Sequence, residues 1–126
     1  MTKVPKISAA EWEIMEVIWG DAPATASQVA EALCTRMDWS DKTVKTMISR
    51  LVKKGALIYT EEGKRYLYSH AFPREAFVQE ESSSYLDRVF RGDMAPMLSY
   101  FVKNGKMTAE EIEELKRILD QEEGAK

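Results

Sequence analysis

One cysteine and one histidine stand in a sequence of 126 residues, and that scarcity removes several kinds of chemistry at once. Cys34 alone cannot form an internal disulfide. Soft metals need several sulfurs or nitrogens at short spacing, and Cys34 with His70 does not supply them, so no metal site is predicted. No Ser-His or Cys-His spacing and no glycine-rich phosphate loop can be recognised either. The sequence therefore predicts no enzyme, no catalytic residue and no cofactor. Cys34 reads as a small buried hydrophobe, and His70 as a surface or structural histidine. Long apolar runs are missing too. No stretch approaches the roughly 18 uninterrupted apolar residues of a membrane helix, and Met1-Thr2-Lys3-Val4-Pro5 leads into a charge-interrupted segment unlike a secretory leader. A cytoplasmic location is the expectation.

What the sequence does have is enough apolar material for a core, 44% of residues, of which aromatic residues make up 10% of the chain. A chain of this length buries a modest share of its surface, so a second subunit could supply part of it. The formal net charge of -3 conceals a sharp division. Residues 1–41 carry 3 basic and 7 acidic side chains, and residues 71–126 carry 8 and 12. Between them, residues 42–70 hold 7 basic side chains (Lys42, Lys45, Arg50, Lys53, Lys54, Lys64, Arg65) against Glu61 and Glu62. A basic island of this kind fits a local footprint for a polyanion, because phosphate neutralisation needs Lys and Arg on one surface and not a high global pI. A solvated helix face is the other reading of the same charges.

Punctuation along the chain sorts it into elements. Ser8-Ala9-Ala10-Glu11 is a capping box opening a first helix, on which Trp12, Ile14, Met15, Ile18 and Trp19 recur at helical spacing as core. Gly20-Asp21-Ala22-Pro23 breaks it, and a second helix begins near Ala26 or Ser27 with Val29, Ala30 and Leu33 on one side. Ser40 fits the N-cap of a third helix that runs to about Lys54 and is stopped by Gly55. Its faces separate: Val44, Met47, Ile48, Leu51 and Val52 form an apolar stripe, and Lys42, Lys45, Thr46, Ser49 and Lys53 lie opposite. No acid falls between Lys42 and Lys54. Residues Ala56-Leu57-Ile58-Tyr59-Thr60 and Lys64-Arg65-Tyr66-Leu67-Tyr68-Ser69 read as strands joined through Glu61-Glu62-Gly63. Three helices and then a two-stranded wing is the order of a winged helix-turn-helix, in which the third helix enters the major groove and the wing reaches the backbone or an adjacent groove.

From Pro73 the character changes to acidic helices. Phe77, Tyr85, Leu86, Val89 and Phe90 mark one, ended by Gly92. Met94, Met97, Leu98, Phe101 and Val102 mark a shorter one, interrupted by Asn104-Gly105. Thr108-Ala109-Glu110-Glu111 is another capping box, opening a last helix with Ile112, Leu115, Ile118 and Leu119 on its apolar side. The predicted fold class is mostly α with a small β-hairpin: a winged-helix DNA-binding domain over 1–72, then a helical dimerisation domain over 73–126. Pairing of this segment with its counterpart in a second subunit would bury Phe77, Leu86, Val89, Phe90, Met97, Leu98, Phe101, Ile112, Leu115 and Leu119. Docking of these helices onto their own winged domain is the alternative.

The run Ala10-Glu11-Trp12-Glu13-Ile14-Met15 with Val17-Ile18-Trp19, the segment from Trp39 to Gly55, Gly92-Asp93-Met94 and Glu110-Glu111-Ile112-Glu113-Glu114-Leu115 occur in one order. In that order they resemble the BlaI/MecI family of penicillinase and methicillin-resistance repressors. The resemblance implies a homodimeric repressor on palindromic operators of β-lactamase or related genes, and of its own operon. It implies that Lys42, Thr43, Lys45 and Thr46, with Ser49 beside them, approach the operator in the major groove. Arg50 and Lys53 would hold phosphates, and Lys64 with Arg65 would do so from the wing. In that family a sensor-linked protease relieves repression by cutting an Asn-Phe bond in the dimerisation region; the pair here is Tyr100-Phe101, where the Phe matches and the Asn does not. The double Cys-x-Cys of related copper repressors has no counterpart. A winged-helix regulator of another stress regulon and a protein-interaction module remain as the other readings.

Overall fold

The computed structural model describes residues 3–124. Its elements are α1 (Ala9–Asp21), α2 (Ala26–Met37), α3 (Asp41–Lys54), β1 (Leu57–Glu62), β2 (Arg65–His70), α4 (Arg74–Phe90), α5 (Met94–Lys103) and α6 (Ala109–Gly124). This is a mostly helical chain with one antiparallel hairpin, in winged-helix order. The chain divides into two compact units, Met1–Glu80 and Glu81–Lys126, with the division inside α4.

In the first unit the helix starts are set by side chains that satisfy orphan backbone donors. At α1 the Ser8 hydroxyl accepts from the Glu11 N–H and the Glu11 carboxylate accepts from the Ser8 N–H, the capping box expected from sequence. Thr25 and Gln28 repeat the arrangement at α2. Ser40 caps α3 by accepting from the Thr43 N–H at 3.2 Å. Gly55 ends α3 at φ 86°, a left-handed conformation that costs a residue without Cβ little, and its N–H returns to the carbonyls of Leu51 and Val52. The apolar stripes of the three helices meet in one core: Ile14, Met15 and Ile18, then Val29, Ala30 and Leu33, then Val44, Met47, Ile48 and Leu51, closed by Leu57.

The hairpin pairs from Leu57 opposite His70 to Glu62 opposite Arg65. Strand β1 therefore continues through Glu61 and Glu62, which the sequence assigned to the turn. The turn is the two residues Gly63 and Lys64, with Gly63 at φ 66°, because a two-residue loop with glycine first matches the twist of paired strands. A further pairing escaped the sequence. Ala24, just before α2, exchanges both backbone hydrogen bonds with Tyr68, at 3.0 and 2.7 Å, and so ties the wing to the α1–α2 connection.

Phe77 departs from its expected place. Sequence periodicity grouped it with the dimerisation residues, yet it is 1% exposed within the first unit. Its ring meets Trp12, Trp19 and Phe72 at centroid distances of 6.4, 5.4 and 5.9 Å. Trp12 and Trp19, two turns apart on α1, meet edge to face at a centroid distance of 5.4 Å, and Phe77 completes the aromatic cluster against both. The Trp19 indole N–H donates to the Phe72 carbonyl, and Arg74 pairs with Glu16, so the start of α4 is fastened beside that cluster.

The second unit is built differently. Thr108 and Glu111 form the capping box of α6. Leu86, Phe90, Met97, Leu98, Phe101, Ile112 and Leu115 are half-buried, and no described residue of 81–122 is fully buried. Ile118 and Leu119 are 48% and 54% exposed.

Candidate nucleic-acid interface

The core stripe of α3 fixes which way its other face points. With Val44, Met47, Ile48 and Leu51 packed inward, a helix of 3.6 residues per turn turns Lys42, Lys45, Thr46, Ser49 and Lys53 outward, and all five are exposed. Three shallow adjoining hollows collect these residues with the wing. One, of about 450 Å³, is lined by Asp41, Lys42, Lys45, Thr46 and Ser49. A second, of about 320 Å³, joins Lys45 to Lys64, Arg65, Tyr66 and Tyr68 of the wing and to Thr25, Ala26 and Ser27 at the start of α2. The third, of about 240 Å³, lies between Ser49, Val52 and Lys53 of α3 and Tyr59, Tyr66 and Tyr68 of the wing. Seven of the nine residues singled out from sequence thus share one surface. Thr43 and Arg50 sit about a quarter turn round α3 and line none of the three hollows, although both are exposed. The Thr43 hydroxyl is engaged with the Ser40 hydroxyl at 3.0 Å.

The cations of the basic island are not equivalent. Lys54 turns inward and binds the Glu11 carboxylate at 2.6 Å, which removes it from the polyanion footprint that the charge count had placed it in. Arg65 lies 3.6 Å from Glu62 across the turn, with both side chains 63% exposed, a pairing of little strength in water. Among the described residues Lys42, Lys45, Arg50, Lys53 and Lys64 form no ion pair. A surface with so many uncompensated ammonium groups favours phosphate oxygens, while Thr46 and Ser49 at its centre can donate to phosphate or base edges.

Sequence reasoning missed the tyrosines and the start of α2 as parts of this surface. The signals were present: Thr25-Ala26-Ser27-Gln28 has the form of a capping box, and Tyr66 and Tyr68 alternate at the period of a strand. Cys34 stays at the margin. Its thiol is pushed up from the ordinary value by burial, then by the hydrogen bond to and the charge of Asp41, whose carboxylate it meets at 3.4 Å. That is the opposite of an activated thiolate. Among the described residues no group of three or more His, Cys, Asp or Glu side chains gathers in one place, and no helix is long and apolar enough to cross a membrane.

A family model described as Penicillinase repressor matches residues 7–121. The chain belongs to the penicillinase repressor family. This is the BlaI/MecI group that the sequence motifs resemble, and it is a family of repressors and not of enzymes. The penicillinase repressor of Bacillus licheniformis is 36% identical over 126 residues, covering 100% of this chain and 98% of that one. The methicillin resistance regulatory protein MecI of Staphylococcus aureus strain N315 is 33% identical over 118 residues, 94% of this chain and 96% of the other. The solution structure of monomeric Bacillus licheniformis BlaI in complex with the blaP half-operator matches with a TM-score of 0.53 and 39% identity, over 60% of this chain and 93% of that one. A DNA-binding winged-helix repressor is thereby established in outline.

Proposed function

We propose that this repressor acts in the cytoplasm as a homodimer on a two-fold operator, with α3 in the major groove and the wing along the backbone. The observation that carries the reading is the gathering of Lys42, Lys45, Thr46, Ser49 and Lys53 with Lys64 and Arg65 on one surface free of large aliphatic groups. Within it, Lys42, Lys45 and Thr46 approach base edges and phosphates, and Lys53, Lys64 and Arg65 hold phosphates. Thr43 and Arg50, on the flank of α3, take the neighbouring backbone. The second unit supports the two-fold part: helical segments with no buried residue among the described residues 81–122, and with Ile118 and Leu119 open to water, need a partner to cover them. Two copies of α3 then meet two half-sites about one helical turn apart.

The regulated genes are a β-lactamase or related resistance functions together with the repressor's own operon, after the relatives' names. Relief of repression follows from separating the copies, and a sensor-linked protease cutting at Tyr100-Phe101 would do this. That bond lies within α5, and the Tyr100 carbonyl accepts from the Asn104 backbone N–H and side-chain amide at 3.0 and 2.7 Å. Cleavage there requires α5 to open first, since a helical bond does not fit a protease cleft. A salt series of anisotropy titrations tests the binding reading. The operator should lose affinity steeply with salt while keeping its advantage over random duplex; equal affinity for both at every salt would overturn it.

A further inference from the structure

The hairpin register sets Tyr59 directly opposite Tyr68 and Tyr66 opposite Glu61, which puts all three rings on one face of the wing. Their centroids are 4.8, 6.1 and 6.4 Å apart. Tyr59 and Tyr66 are 48% and 44% exposed, so the cluster belongs to the surface and not to the core. It closes one side of the hollow whose other side is Ser49, Val52 and Lys53 of α3. Tyr66 and Tyr68 also reach the adjoining hollow that holds Lys45, Lys64 and Arg65. Cations thus flank the aromatic face on both sides, and the charge complement of such a cleft is an anionic strand.

We propose that Tyr59, Tyr66 and Tyr68 grip the phosphodiester strand of duplex DNA that passes between α3 and the wing, donating phenolic hydrogen bonds to its phosphates while their rings cover its sugars. The inference rests on the operator reading above and adds residues to it. In a duplex the bases are paired, so the strand entering this cleft offers phosphate oxygens and sugar faces and not open bases for stacking. A phenol keeps its proton at neutral pH, and the Tyr68 hydroxyl is pushed further up by burial and by its two tyrosine neighbours. The contacts are therefore neutral. A neutral donor adds affinity without displacing a counterion, whereas each Lys or Arg on a phosphate adds close to one unit to the slope of log affinity against log salt. The cleft divides the work: Lys53, Lys45, Lys64 and Arg65 make the salt-dependent part of backbone binding, and the tyrosines make a part that survives high salt.

The test uses the full chain and three probes of equal length: a duplex from upstream of its own gene, a random duplex and a random single strand. Tyr59→Phe with Tyr66→Phe removes two exposed hydroxyls and keeps both rings, and thermal melting of the variant checks that the fold is intact. Affinity for both duplexes should fall about tenfold with the salt slope unchanged, two neutral hydrogen bonds being lost. Lys53→Gln should instead flatten the slope by about one. Binding equal to the wild type, or a loss accompanied by a flatter slope, overturns the proposal while leaving the operator reading in place. A loss confined to single-stranded oligonucleotide would make the face a base-stacking platform and overturn it too. Failure of the wild type to bind both duplexes overturns both readings.

Discussion

Lys54 donates to Glu11 at 2.6 Å, so the last turn of the basic helix α3 is fastened to the first turn of α1. Glu11 is 3% exposed and its Oε1 also accepts from the Ser8 N–H at 2.8 Å. One carboxylate oxygen thus closes the α1 capping box and fixes the end of the helix that carries the basic face. Its Oε2 is buried without a hydrogen-bond partner among the described residues. Burial raises the Glu11 carboxyl, and the Lys54 ammonium with the Ser8 donors outweighs it, leaving the group below its ordinary value.

Removing the cation leaves a buried carboxylate unpaired. Lys54→Met should destabilise the protein by about 2 kcal/mol in urea unfolding, less than a fully buried pair because the Lys54 head is partly wet. A depressed carboxyl contributes stability that is complete above its unfolded value and is lost as pH falls through its lowered native value. The Glu11 contribution to wild-type stability should therefore fade as pH falls from the ordinary glutamate value through the lowered one, and Lys54→Met should lose much of that pH dependence. The salt slope of DNA binding should be unchanged, since Lys54 faces α1 and not the groove.

Thr46 lines the hollow shared with Asp41, Lys42, Lys45 and Ser49. Thr46→Glu puts a negative charge where phosphate and base oxygens would lie, and operator binding should fall at least a hundredfold in a mobility shift with helical content intact. Neutralising Lys64 and Arg65 together should weaken operator and random DNA alike and flatten the salt slope by about two. Selective loss on the operator would show that the wing reads sequence.

Phe77 packs fully buried against the Trp12 and Trp19 rings. Phe77→Ala should cost about 3–4 kcal/mol by chemical denaturation, the range for deleting a fully buried aromatic ring. For the same reason a fragment ending at Glu80 should melt cooperatively, while one ending at Phe72 loses Phe77 and should melt at markedly lower temperature.

The helices, their starts and the orientation of α3 were legible because each rests on local rules: Ser8, Ser40 and Thr108 cap where the pattern puts them, and the α3 stripe is unambiguous. Long-range facts were not. Nothing local tells Lys54 from Lys53, though one turns to Glu11 and the other to the wing. Phe77 lies roughly half a turn round α4 from Leu86 and Phe90, but only Trp12 and Trp19 on another helix decide what covers it. The Ala24 to Tyr68 bridge joins residues without any strand signal around Ala24. The turn shifted to Gly63-Lys64 because strand pairing overrode the low strand preference of Glu61 and Glu62.

The open faces of the second unit give the dimer its test. Ile118→Lys with Leu119→Lys puts two charges on side chains that are about half exposed. Sedimentation should then show a monomer, and operator affinity should fall by about a hundredfold or more as the second half-site no longer adds to the first. A double variant that still sediments as a dimer would move the interface elsewhere.

The most direct test of the whole account is footprinting of the purified protein on DNA upstream of its own and neighbouring genes at near-physiological salt, with sedimentation on the same sample. A protected site with two-fold symmetry, half-sites about one helical turn apart, and a dimer in solution are the expected result. Salt-sensitive smearing without a protected site, or a symmetric footprint made by a monomer, would contradict it.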